Sequence, residues 1–184
     1  MRKSWTLAVV FFVALATMSC SDDDDASFPG SYEFQDKKTN LALGVIWLDD
    51  EASTADNGDK IYTHDVTLAS EGLGADGLSG KGSILSFSLM TKGATVTPGT
   101  YVFKSGLADM GVDYAYLQAD YIAGEFDSGT QYTFYDSEVK VEGGNGTYTI
   151  TFSGTVYDNE KGSDSERFDI SGTYSGKLDD SPTN

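Results

Sequence analysis

From Phe28 onward, apolar and polar positions alternate with a period of two, and clusters of Gly, Asn, Asp and Ser interrupt the alternation. No segment keeps an apolar stripe at helical spacing through three turns. The pattern predicts strands over Ser31–Phe34, Leu41–Leu48, Lys60–Leu68, Ser83–Met90, Thr100–Lys104, Tyr114–Ile122, Thr130–Tyr135, Glu138–Glu142, Thr147–Tyr157 and Glu166–Leu178. The C-terminal part is the clearest. Val139 and Val141 alternate with charge, a turn follows through Glu142-Gly143-Gly144-Asn145-Gly146, and Tyr148, Ile150 and Phe152 then share one face. A second turn, Asp158 to Ser165, leads to Phe168, Ile170, Tyr174 and Leu178, which completes a three-stranded meander. The expected class is all-β, an antiparallel β-sandwich or closed β-barrel of about 8–10 strands forming one domain over residues 28–180.

Charge narrows the function. With 29 Asp+Glu against 12 Lys+Arg the formal charge is −17, so the chain lacks the basic footprint that phosphate backbones require and no nucleic-acid partner is expected. At 39% hydrophobic residues it is too apolar for a disordered acidic chain.

The first residues carry a different signal. Arg2 and Lys3 precede an apolar run from Trp5 to Ala16, too short to span a bilayer, which takes about 20 residues. Residues 1–19 therefore read as a signal peptide. Arg2 and Lys3 are the only charges it contains, so the exported form keeps all 29 acidic residues against ten basic ones, for a charge of −19. The single cysteine, Cys20, excludes an intramolecular disulfide and any cysteine-cluster metal site. The segment Thr17-Met18-Ser19-Cys20 resembles the lipobox of bacterial lipoproteins, although that motif prefers a branched aliphatic residue at the place of Thr17 and a small one at that of Met18. Ser21 and the run Asp22-Asp23-Asp24-Asp25 resemble the acidic export signal of Bacteroidetes-type surface lipoproteins. The resemblance implies a lipid attached at Cys20, residues 20–27 as an acylated acidic tether, and an outer-membrane lipoprotein facing the exterior, with the periplasmic face as the alternative. Ordinary cleavage after Ala14-Leu15-Ala16 is the other reading of the segment.

A Gly-Thr-Tyr tripeptide recurs at Gly99, Gly146 and Gly172, beside the looser Gly30-Ser31-Tyr32. The separations are unequal, which excludes a solenoid, so the tripeptide reads as strand-entry chemistry. Together with the C-terminal strands it resembles small all-β lipoproteins of the same bacterial group, some of which look like calycin-type barrels.

Candidate chemistry is sparse. His64, the one histidine, shares parity with Tyr62, Val66 and Leu68 and is expected to pack on a half-buried face. With no second histidine and no Gly-x-Ser-x-Gly elbow, no catalytic residues can be named. Two acidic groups, Asp49-Asp50-Glu51 with Asp56-Asn57-Gly58-Asp59, and Asp158, Glu160, Asp164 and Glu166, lack the EF-hand ladder. They read as solvated turns, and no metal or other cofactor is expected. Trp47 shares parity with Leu41, Leu43 and Val45 and is expected in the core.

The strand Asp113–Ile122 is the most informative surface. Its odd positions, Ala115, Leu117, Ala119 and Tyr121, suit a core, while its even positions carry Tyr114, Tyr116, Gln118 and Asp120. Rings beside hydrogen-bonding tips are what a neutral sugar needs, and Tyr132 and Phe134 extend the platform if the strands pair. The expected function is a non-enzymatic cell-surface binding protein for a neutral ligand such as a glycan. The alternatives are a structural or adhesion component of the envelope and, third, a hydrolase.

Overall fold

The computed structural model describes residues 28–48, 52–55, 57–74, 79–104, 106, 109–125 and 127–180. Cys20 and the acidic tether lie outside the described residues. The strands are β1 (Gly30–Phe34), β2 (Lys37–Leu48), β3 (Ser53–Thr54), β4 (Lys60–Ser70), β5 (Lys81–Thr91), β6 (Gly99–Phe103), β7 (Gly111–Ile122), β8 (Thr130–Gly144), β9 (Thr147–Asp158), β10 (Arg167–Lys177) and β11 (Asp179–Asp180). The two segments predicted at Thr130–Tyr135 and Glu138–Glu142 are one strand, β8, with an irregularity between Phe134 and Asp136. The two-residue strands β3 and β11 carry no alternation that a sequence pattern could reveal.

Eight strands close into a ring. β1 pairs with β2, β2 with β4, and the pairing continues through β5, β7, β8, β9 and β10 back to β1, antiparallel at every step. Closure removes the unpaired edges that an open sheet must protect. β6 fills a wedge where β7 and β8 diverge, antiparallel to β8 and parallel to β7, and β11 adds a parallel step to β2.

The interior is filled. Phe87 of β5 reaches Phe152 of β9 with ring centroids 5.1 Å apart and Phe134 of β8 at 5.7 Å. Opposing walls of the ring therefore touch through their aromatic side chains. Leu41, Leu68, Leu85, Leu117, Val139 and Ile150 complete this core, each almost wholly buried.

The Gly-x-Tyr tripeptides acquire a physical role here. Gly30 lies opposite Tyr174, Gly172 opposite Tyr32, and Gly176 opposite Tyr148. The Tyr174 ring covers two glycines, since a Cβ on Gly44 of β2 would lie 2.9 Å from its Cζ and one on Gly176 3.1 Å from the same atom. A Cβ on Gly172 would sit 2.6 Å from Phe152 Cζ and 2.7 Å from Tyr32 Cβ, so the position has no room for one. The buried hydroxyls find backbone acceptors: Tyr101 donates to the Thr97 carbonyl at 2.6 Å and Tyr174 to that of Lys177 at 2.7 Å.

Two parity expectations fail at bulges. In β2 the register shifts between Leu41 and Leu43, so inward positions change from odd to even: Gly44 is buried, Ile46 packs on the core, and Trp47 is 47% exposed. Trp47 is therefore on the outer surface, not in the core. In β7, Asp120 takes φ +58° and the register with β5 shifts between Gly82 and Ile84. Tyr121 is consequently turned away from Ala115 and Leu117; it is buried in a separate cluster with Ala69 and Leu73, against Leu43, Ile84 and Ala123.

Candidate functional site

The outward face of β2, β4, β5, β7 and the start of β8 is ordered by register. One row runs Trp47, Asp65, Ser88, Tyr114; the next runs Val45, Thr67, Ser86, Tyr116, Thr133; the third holds Ile84, Gln118 and Gln131. Directly opposed residues on paired strands point to the same side, so each row is a line of neighbouring side chains.

The two tyrosines stand at its centre. Tyr114 is 43% exposed and Tyr116 half-buried, with centroids 5.7 Å apart and planes tilted by 41°. They form a shallow angle, not a coplanar plate. Polar groups hold them. Gln131 Nε2 donates to the Tyr114 hydroxyl at 3.3 Å, Asn159 Nδ2 donates to Gln131 Oε1 at 3.4 Å, and Thr133 Oγ1 donates to Asn159 Oδ1 at 3.2 Å. Burial pushes the Tyr116 phenol pKa up, and the neighbouring Ser86 hydroxyl partly offsets this. Gln118 donates from Nε2 to the Ser128 carbonyl at 2.9 Å. Tyr116, Gln118, Gln131, Asn159, Ser128 and Glu160 border a depression of about 490 Å³. Beside it, Ser88 donates to the Asp65 carboxylate.

Of the residues expected at this site, Tyr114, Tyr116 and Gln118 share the face. Asp120 leaves it at the bulge, where its carboxylate pairs with Lys81 at 3.3 Å and it borders a different depression with Ala119 and Thr130. Tyr132 faces inward. Its partner across the ladder is Leu117, a core residue, and its ring packs edge-on against Phe34 at 4.8 Å and Phe168 at 6.2 Å. Phe134 is likewise buried. Since β8 alternates as β7 does, the residues that extend the platform are Gln131 and Thr133. Asn159, which follows β9, and Asp65, Ser88 and Trp47 also join the surface without a local signal. Only the register between distant strands brings them there.

Elsewhere His64, Asp158 and Asp59 have local partners. His64 is 2% exposed, with Nε2 3.0 Å from Thr91 Oγ1 and 3.1 Å from the Gly93 carbonyl. Asp158 pairs with Lys161 at 2.8 Å and accepts from the Glu160 amide at 3.1 Å; the Lys161 ammonium holds its carboxyl below the ordinary value. Asp59 is lowered in the same way by Lys92, while Asp49, Asp50, Glu51 and Asp56 lie outside the described residues. Among the described residues no three His, Cys, Asp or Glu side chains converge as a metal centre would.

Fold and site together define a closed antiparallel all-β protein with an outward aromatic and amide face. Comparison with known protein families, with curated proteins and with solved structures finds no match to the chain.

Proposed function

We propose that this protein is a non-enzymatic surface lipoprotein, tethered through lipid on Cys20, whose barrel binds a neutral glycan on the face of Tyr114, Tyr116, Gln118 and Gln131. One observation carries the binding reading: two outward tyrosines, one of them 43% exposed, are held by an amide network beside a polar depression. A buried tyrosine would contribute core area, and a lone exposed one would be ordinary sheet surface. Paired rings with fixed donors and acceptors at their edges stack on sugar faces and take hydroxyls at the same time. The formal charge of −17 disfavours anionic ligands.

The anchor reading rests on the lipobox-like segment, its lone cysteine and the four aspartates after it. Two or three acyl chains give stable attachment where one gives marginal binding. Cys20→Ala should move the protein from the membrane fraction to the soluble one; an exported variant that stays membrane-bound contradicts the anchor. For the ligand, an array of neutral and acidic glycans probed with the full chain should show binding to neutral members only. Binding confined to acidic members, or to none, contradicts the reading and leaves a structural or adhesive role.

A further inference from the structure

Resting on the glycan reading, we infer that the site runs across the strands from Tyr114 to Trp47 and takes a linear neutral oligosaccharide, not a single sugar. The row Tyr114, Ser88, Asp65, Trp47 crosses four successive strands of the ring on the outward side. Both ends are large, exposed rings: Tyr114 at 43% and Trp47 at 47%. An exposed tryptophan forgoes the burial that drives most tryptophans inward. Between the rings stand only a hydroxyl and a carboxylate, already joined to each other by the Ser88 bond to Asp65. Adjacent strands lie about 4.8 Å apart, so three steps follow roughly 14 Å of curved wall, and a ligand that reaches both rings is an unbranched chain that bends around the outside of the ring.

That spacing decides the ligand class. A single ring covers one aromatic station and leaves the other in water, whereas a chain of linked rings covers both and places its hydroxyls over Asp65 and Ser88. Nothing basic interrupts the row, so an acidic polysaccharide gains nothing along it and meets the Asp65 carboxylate. A peptide would need its own hydrogen-bonding edge, but every strand of the row is already paired on both sides within the sheet. Engaging two stations through one ligand makes the second contact intramolecular, so affinity rises with chain length until both are covered.

The test uses the full chain with Trp5→Phe, which leaves Trp47 as its only tryptophan. It is titrated with a ladder of linear neutral gluco- and manno-oligosaccharides, from one sugar upward, followed both by calorimetry and by tryptophan fluorescence. The expected result is weak binding of the shortest members with no fluorescence change. Once the chain spans both rings, affinity should rise at least about tenfold with a fluorescence shift. Trp47→Ala should abolish the rise and keep the short-chain affinity; Trp47→Tyr should restore part of it. Binding that ignores length, or a rise that survives Trp47→Ala, overturns the extended site while leaving the glycan reading intact. Absence of binding at every length removes both. Self-association of the chain that Trp47→Ala abolishes assigns the ring to a second copy and overturns the inference.

Discussion

Two outward surfaces of one closed sheet answer the same structural demand with different residues. Over most of β9 and β10 the outward positions are Thr147, Thr149, Thr151, Ser153 and Thr155 against Asp169, Ser171, Thr173, Ser175 and Lys177, and only at the far end does Tyr157 stand opposite Arg167. There Thr149 and Ser175 hydroxyls meet at 2.9 Å and Thr173 donates to Thr151 at 3.5 Å. On β2, β4, β5 and β7 the outward positions include Trp47, Tyr114 and Tyr116. Thr and Tyr fit a pleated surface equally well, so strand propensity does not account for the difference. What differs is what remains available. Short hydroxyls facing each other leave a low, self-satisfied lattice, whereas the rings leave stacking area in water and their edges are fixed by amides. Exposed ring area is the feature that needs a function.

Beneath the two surfaces the support differs too, and the largest expected effect breaks that support. Gly172 backs the hydroxyl surface, and a side chain there meets Phe152 and Tyr32. Gly172→Val should cost about 3 kcal/mol of unfolding free energy in denaturant titrations, as overpacking of a filled core does. Glycan affinity of the remaining folded fraction should not change. Tyr116→Ala inverts that result: binding should weaken by about 1–2 kcal/mol while stability falls by less, because the ring is only half-buried. Unfolding of this variant would place Tyr116 in the core, out of a ligand's reach. Thr151→Ala, on the hydroxyl surface, should change stability by less than about 0.5 kcal/mol and leave binding unaltered. A clear loss of binding would move the site to that surface.

The smallest effect is electrostatic. Asp158 holds the turn that carries Asn159 and Glu160 to the aromatic side, and its folded pKa is lowered chiefly by Lys161. A lowered carboxyl contributes stability above its unfolded pKa of about 3.9, and that contribution is lost as pH falls through the folded value. Asp158→Asn should therefore shift the melting temperature slightly at neutral pH and by less once the carboxyl is protonated in acid. An equal shift at both pH values would mean the ion pair is irrelevant.

Much of the fold was legible because period-two alternation is a direct imprint of a half-buried strand. Nine of the eleven strands coincide with predicted segments, with β8 merging two of them, and the C-terminal meander of β8, β9 and β10 follows from its turn residues. Asn145 at φ +54° and Gly146 at φ +85° form the tight turn that their sequence announces. Closure was not legible, since the β2–β4 and β1–β10 pairings join segments whose register no local pattern encodes. The same limit governs the site. Tyr114, Tyr116 and Gln118 were readable from one strand's parity. Single-strand parity does not place Trp47, Tyr121 and Asp120, because bulges at Leu41/Leu43 and Asp120 reverse it, nor Tyr132, whose side is set by Leu117 across the ladder.

The central claim is that the ligand lies on the aromatic surface and not on the hydroxyl one. Tyrosine lies at both surfaces, so ring-labelled tyrosine in the full chain reports on each. Two-dimensional spectra recorded through a titration with a linear neutral oligosaccharide should show the Tyr114 and Tyr116 ring signals moving together with one dissociation constant. The signals of Tyr32, Tyr148 and Tyr174, beneath the hydroxyl surface, should stay in place. Movement of that second set with Tyr114 and Tyr116 unchanged would contradict the account.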